Sequence, residues 1–169
     1  MAAKHTPPTT SPENKKYEFV HGDTVTTVDG RTLTRIRALV AIGAIAAAGD
    51  LGGYIEAEAS LQVSGNAWVS GNAWVYGNAR VSGNAWVSGN ARVSGNAGIF
   101  WASKVGSESG TLTAYRDKDG ALYISRGCFF GTDEAFLAKV AEHHGANSKI
   151  GREYSLLVEV ARSRVEVAK

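Results

Sequence analysis

The clearest pattern in the chain is an alternation of apolar and polar positions with a period of six over residues 63–98, which read VSGNAW VSGNAW VYGNAR VSGNAW VSGNAR VSGNAG. In an extended strand, the Ala of one unit and the Val of the next point to one face, and the residue between them points to the other. Gly and Asn tolerate the positive φ of a sharp corner, so each unit predicts a short strand followed by a bend. Three such units per turn are typical of the left-handed parallel β-helix built from hexapeptide repeats.

The same period extends in weaker form beyond the perfect units. Counting back by six places Ala57, Leu51 and Ile45 at the Val position, and counting forward places Ile99 and Val105 there. The six perfect units make two coils of eighteen residues. The weaker units extend the prediction to three or four coils over residues 45–110, with irregular ends that act as caps. Inside one perfect unit, we expect Val75 to lie in the core and Tyr76 to lie on the surface.

The flanking patterns predict three further segments. Residues 1–16 contain all three prolines and almost no apolar residues, which predicts a disordered tail. Residues 17–44 predict a β-rich N-terminal segment, and residues 111–169 predict a ββαα domain in which Thr132 caps the first helix and Gly145 ends it. The predicted fold class is mainly β: a short left-handed parallel β-helix with a β-rich N-terminal segment and a small ββαα C-terminal domain.

Three segments outside or beside the array carry a resemblance to known proteins. They are LTRIRAL at residues 33–39, AGDLGGYIE at residues 48–56 and RGCFFGT at residues 126–132. Together with the array, they resemble an uncharacterised group of bacteriophage and prophage proteins that combine V-x-G-[N/D]-A-x units with a G-C-F-x-G-T C-terminal domain. The resemblance covers roughly residues 17–165 and implies a phage origin, with the host cytoplasm as the place of action. It implies no chemistry, because the group has no activity that could be carried over.

Composition and charge argue against several classes of partner. The formal net charge of +2 is too small to favour nucleic acid or an anionic membrane. The longest apolar run, residues 38–49, has twelve residues, whereas a membrane-spanning helix needs about 20. A single cysteine, Cys128, excludes an intrachain disulfide, and its aromatic neighbours favour an inert, buried thiol. With only His143 and His144 near it in sequence, it makes a poor zinc site, so we expect neither a metal nor another cofactor.

The residue between Ala and Val is the variable position, and residues eighteen apart are expected to stack in rows along the β-helix. One row contains Trp68 and Trp86, and a second contains Trp74 and Arg92 with Tyr76 beside them. Exposed tryptophans on a flat β face form an apolar patch that usually marks a contact. The contact is a self-association interface or a covering by the terminal domains, or else a partner protein or a planar ligand; Trp74 and Arg92 could also form a simple cation–π pair. The candidate binding or interface residues are Trp68, Trp74, Tyr76, Arg80, Trp86, Arg92 and Arg126.

These observations favour a non-catalytic scaffold or binding protein. We expect it to form a homo-oligomer, with a trimer favoured, and to present a recognition surface to a host protein or a small signalling molecule. One alternative is an anti-defence protein that sequesters a host signalling nucleotide or blocks a host immune protein, and another is a virion spike or fibre component. A hexapeptide-repeat acyltransferase is disfavoured, because the array contains no histidine to act as general base and no loop insertion.

Overall fold

The described part of the chain is mainly β, with both α-helices at its C-terminal end. The structure is a computed structural model that describes residues 8–167. The strands are β1 Tyr17–Thr26, β2 Thr32–Ala38, β3 Leu51–Ile55, β4 Trp68–Val69, β5 Trp74–Val75, β6 Trp86–Val87, β7 Arg92–Val93, β8 Ile99–Val105, β9 Gly110–Arg116, β10 Leu122–Arg126 and β11 Phe129–Thr132. The helices are α1 Asp133–His144 and α2 Lys149–Arg164, and short 3-10 turns occur at Glu58–Ser60 and Asn96–Gly98. These elements confirm the predicted mainly β class with two C-terminal helices.

The repeat region forms short parallel strands with the predicted spacing. Trp68 of β4 pairs with Trp86 of β6, and Trp74 of β5 pairs with Arg92 of β7, each across eighteen residues. From Ala67 to Val93, the Val and Ala side chains of the repeats are buried together in one core. The corner glycines adopt positive φ, for example +63° at Gly71, as the bend requires. The inward positions of the repeat are therefore as predicted, whereas the outward residues Trp68 and Tyr76 are buried.

The coil before the perfect repeats is two residues longer than the period predicts. Ile55 pairs with Val75, and Leu61 pairs with Val81, so both partners are separated by twenty residues. Ile55 and Leu61 are themselves six residues apart, and Val69 pairs with Val87 across the regular eighteen residues, so the two extra residues lie between Leu61 and Val69. The assignment of Ala57 and Leu51 to the Val position is therefore wrong: both are exposed, and the buried Ile55 takes the position instead.

Residues 99–110 do not form the further coil that the period predicts. Ile99–Val105, which the six-residue count assigned to further coils, is a single seven-residue strand that pairs antiparallel with β9. It belongs to a four-stranded sheet in the order β11-β10-β9-β8, and α1 and α2 pack on one face of that sheet. The solenoid thus ends near residue 98, and the C-terminal unit has two more strands than the ββαα prediction. The helix signals hold: Thr132 accepts a hydrogen bond from the Ala135 N–H, and Gly145 ends α1 at φ +81°.

The other face of the C-terminal sheet closes one end of the solenoid. The Trp86 N–H donates to Thr113 Oγ1 at 3.1 Å, and Ser125 Oγ donates to the Trp86 carbonyl at 2.7 Å. Two residues further along the chain, the Ser88 N–H donates to the Tyr115 hydroxyl at 3.2 Å. Side-chain hydroxyls therefore satisfy backbone groups that an open solenoid edge would leave free to pair with another chain.

The N-terminal segment closes the opposite end. The Tyr17 hydroxyl lies 3.1 Å from the carbonyl oxygens of both Glu58 and Leu61. Ser11 Oγ donates to the Glu58 carboxylate at 2.8 Å, and Asn14 is buried. Residues 11–16, which the sequence assigned to a disordered tail, are instead packed on the first coil because these polar groups find buried partners there. Residues 1–7 of that predicted tail lie outside the described residues.

Candidate functional site

Two aromatic side chains that the sequence placed on the surface are covered by the N-terminal segment. Trp68 is 1% exposed and lies edge-on to the Tyr17 ring, with 6.4 Å between the ring centroids. A Cβ at Gly52 would lie 2.9 Å from the Trp68 ring, so this glycine allows the chain to pass closely over the indole. Tyr76 is 6% exposed and packs with Leu33 of β2. Of the alternatives that the sequence left open for these two residues, the structure therefore shows covering by a terminal segment of the same chain.

A second pair forms a contact within the solenoid wall. The Arg92 guanidinium lies 3.9 Å from the Trp74 ring centroid, in a cation–π arrangement. Arg92 Nη1 also donates to the Asn72 carbonyl at 3.0 Å and so ties successive coils together. Arg92 and Trp74 thus act first as a structural pair, while Arg80 is exposed on another ladder.

The remaining two candidates, Trp86 and Arg126, line the same cavity. The cavity has a volume of about 640 Å³ and lies between the solenoid, residues 43–45 and the C-terminal sheet. We call it the junction groove. Its lining combines one indole, two carboxamides, several hydroxyls and one guanidinium, from Gly43, Ala44, Ile45, Asn66, Asn84, Trp86, Ser109, Gly110, Thr111, Thr113, Ser125, Arg126, Gly127 and Cys128.

Several contacts hold the solenoid side of the junction groove in place. The Trp86 indole N–H donates to Ser70 Oγ at 2.8 Å, which fixes the ring, and Thr113 and Ser125 hold its backbone. Asn66 and Asn84 occupy the same corner in successive coils, so their carboxamides recur eighteen residues apart on one side of the groove. Sequence reasoning treated these asparagines only as corner residues. Their carboxamides line a groove only because the C-terminal sheet, which is distant in sequence, forms the opposite wall.

Arg126 stands at the end of β10 and is the most unusual side chain of the groove. Its side chain is only 11% exposed, yet its nearest carboxylate, from the 82% exposed Glu108, lies 3.9 Å from Nη1. Nη2 donates to the Val105 carbonyl at 3.3 Å, and the buried Nε has no hydrogen-bond partner among the described residues. A Cβ at Gly110 would lie 2.6 Å from the guanidinium carbon, so this glycine makes the space in which the guanidinium lies.

A second cavity of about 460 Å³ lies on the other side of Arg126. Its lining is aromatic toward Phe129, Phe136 and Tyr154 and includes His143 and His144 of α1. Cys128 lines both cavities and is exposed, so the prediction of a buried thiol is wrong. The reason is local: Arg126 pairs with Phe129 across the β10–β11 hairpin, which leaves Gly127 and Cys128 as its two-residue turn.

The chemistry of the junction groove suits binding. It offers hydrogen-bond donors and acceptors, one flat aromatic ring and one guanidinium, which together can hold a polar organic molecule. Within residues 8–167, no three His, Cys, Asp or Glu side chains are grouped closely enough to hold a metal ion. In the same range, neither helix is long and apolar enough to cross a bilayer.

Comparison with known families bears on the array. A family model described as the YdcK beta solenoid repeat matches residues 61–77, 73–89 and 85–99 in overlapping copies. No curated protein matches the chain. The three overlapping matches cover the stretch whose parallel strands recur every eighteen residues. The chain is therefore similar to repeat-containing β-solenoid proteins over this region.

Proposed function

We propose that this protein is a non-catalytic binding protein that holds a small polar molecule in the junction groove. The observation that carries the proposal is the convergence of Trp86, Asn66, Asn84 and Arg126 on one cavity of about 640 Å³. Ligand cavities in proteins are usually about 300–1,000 Å³, with apolar walls and a few well-placed polar groups. The solenoid supplies a rigid wall, and the C-terminal sheet supplies the opposite one.

The finer parts of this proposal rest on the sequence. Left-handed winding rests on the hexapeptide period, and a bacteriophage origin with action in the host cytoplasm rests on the resemblance of residues 17–165. Sequestration of a host signalling nucleotide is the version of the function that uses both an aromatic ring and an arginine. A role as a virion fibre is less favoured, because side chains from the terminal segments cap both ends of the solenoid.

Self-association is a second part of the proposal, and α2 favours it. Leu156 and Val160 are both exposed and lie one helical turn apart, so they form an apolar stripe that a second copy of the chain could cover. We do not place the self-association interface on the tryptophan rows, since the N-terminal segment covers Trp68. Replacing both α2 residues with Ser should lower the mass seen in analytical ultracentrifugation, while an unchanged mass would exclude the stripe from the interface.

Native mass spectrometry of protein purified from expressing cells tests the binding function. We expect a bound small molecule in the wild-type protein and its loss from a Trp86→Ala variant. Trp74→Ala is the matched control, because Trp74 is an equally half-buried repeat tryptophan that lies outside the groove lining. If wild type carries no ligand, or both variants lose it equally, the junction groove is not the binding site.

A further inference from the structure

We infer that the molecule in the junction groove carries a phosphate or carboxylate group, and that Arg126 binds this group. This inference rests on the proposed function and adds the chemical class of the ligand. The shared chemistry is an oxyanion that accepts hydrogen bonds from the planar guanidinium. Arginine recognises such groups through two parallel N–H···O bonds, which a neutral ligand group cannot match in strength.

The first argument is that the buried charge of Arg126 has few hydrogen-bond and ion-pair partners. A guanidinium that is removed from water is ordinarily paired with a carboxylate and hydrogen-bonded on most of its five N–H groups. Arg126 has one backbone acceptor at 3.3 Å and one exposed carboxylate at 3.9 Å, and its Nε has no acceptor among residues 8–167. Arg162, by contrast, is half exposed and still donates from Nε to the buried Asp133 carboxylate at 2.6 Å. The chain therefore gives a half-exposed arginine a close carboxylate partner and leaves the more buried Arg126 without a carboxylate at hydrogen-bond distance.

The second argument is that the surroundings are shaped for this guanidinium. Gly110 leaves room for it, and a side chain at Gly106 would meet Arg126 Nη2 at 3.2 Å and would collide with the Tyr154 hydroxyl. Between these glycines, Ser109 adopts φ +50°, a left-handed conformation that costs a non-glycine residue energy. The same loop carries Glu108, the only carboxylate within ion-pair distance of Arg126 among the described residues. Because Glu108 is exposed, it can move away when a better acceptor arrives.

Thermal unfolding with inorganic anions tests the inference directly. Phosphate and acetate are titrated against chloride at equal ionic strength and constant pH. We expect at least one of the two oxyanions to raise the melting temperature in a saturable way. At an anion concentration about ten times its dissociation constant, the rise should be about 4 °C. The larger response identifies the class of anionic group. A wild-type protein that responds to neither anion more than to chloride would overturn the inference.

Two variants of equal charge change separate a binding arginine from a structural one. Arg126→Met should abolish the oxyanion response, and without added anion it should melt at or above the wild-type temperature, because an under-paired buried charge is removed. Arg80→Met, on the exposed solenoid surface, should keep the full response. A strong loss of stability in Arg126→Met in the absence of anion, or a retained response, would show that Arg126 only supports the fold.

Two further variants change the affinity in opposite directions. Glu108→Gln removes the competing carboxylate and should tighten oxyanion binding about two- to fivefold. Gly110→Ala should weaken it, because the new Cβ displaces the end of a flexible side chain and not the backbone. Both are read from the Arg126 Nε–H signal in nitrogen-15 NMR spectra, which is assigned by its absence in Arg126→Met. A signal that does not shift with phosphate or acetate contradicts the inference.

Failure of the inference is distinguishable from failure of the proposed function. If native mass spectrometry finds a ligand that Trp86→Ala loses and Arg126→Met keeps, the groove binds a neutral molecule; the proposed function stands and the anion inference fails. If oxyanions stabilise wild type through Arg126 but no organic ligand is ever found in the groove, the anion site stands and the proposed function fails.

Discussion

Lys16 offers a quantitative test of how the N-terminal segment is packed. Its side chain is almost fully buried, and Nζ donates to the carbonyl oxygens of Gln62, at 2.9 Å, and of Ala67. Burial lowers the pKa of the Lys16 ammonium from 10.5 to about 8, because the charged form loses its hydration. In the unfolded chain the same ammonium keeps its ordinary pKa.

This difference makes the stability of the protein depend on pH in a defined direction. Below about pH 8 both states carry the proton, and the folded state bears the full cost of burying the charge. Between about pH 8 and 10.5 the unfolded state binds more protons than the folded state, so the free energy of unfolding rises with pH. From about pH 7.5 to 9.5, the two pKa values give a gain of about 2 kcal/mol.

Urea unfolding of wild type and Lys16→Met at several pH values in this range measures the gain. We expect the free energy of unfolding of wild type to rise relative to that of Lys16→Met by about 2 kcal/mol across the range. Lys15→Met is the matched control, because Lys15 is exposed, and it should follow the wild-type curve. Parallel curves for wild type and Lys16→Met would refute the reasoning and place the Lys16 ammonium in water.

Three other predictions test the repeat and the hairpin turn. Val75→Asp places a carboxylate in the solenoid core and should cost several kcal/mol of stability. Tyr76→Asp should cost about 3 kcal/mol, because the N-terminal hairpin covers the ring. Thermal melts compare Tyr76→Asp with Ser82→Asp at the equivalent repeat position, and equal melting temperatures for these two variants would contradict the prediction. Gly71→Ala should lose at least about 1 kcal/mol in urea unfolding, since φ is +63° and the new Cβ would lie 3.1 Å from the Gly89 nitrogen; Gly98→Ala, which is free of positive φ, should lose less. Cys128 should react fully with a thiol reagent in the folded protein, and Cys128→Ala should change stability by less than about 0.5 kcal/mol, whereas a protected thiol would mean that the turn is buried.

The sequence predicts the solenoid well because its period is local and is repeated six times. A strand of alternating side chains and a positive-φ corner are properties of one unit, so each copy supports the same interpretation. The error upstream arises because two residues are added between Leu61 and Val69, which breaks the count without a strong sequence signal. The error downstream was avoidable: residues 99–105 still place Ile and Ser at repeat positions, but the Gly-Asn corner is absent from them.

The candidate site was only half predictable because it is assembled from distant parts of the chain. Trp86 and Arg126 could be chosen from the sequence as an aromatic ring and a cation, but nothing local places them on one cavity. Trp68 and Trp86 have the same sequence environment, yet the N-terminal segment buries the first, while the second lines the groove. Segments that are distant in sequence pack on the faces of the solenoid, and their packing decides which tryptophan can line a cavity.

Because both ends of the solenoid are closed by the flanking segments, the number of coils sets a distance between them. Residues 43–45 border the junction groove from the N-terminal side and residues 109–113 from the C-terminal side, while Asn66 and Asn84 contribute one corner per coil. Duplication of eighteen residues inside the array would leave both closures intact and move them apart by about 4.8 Å, one strand spacing. The groove would then gain a third carboxamide along its wall. If the junction groove binds a ligand as proposed, the number of repeats would set the length of ligand that fits, and one recombination event could change that length without changing the residues that line the groove.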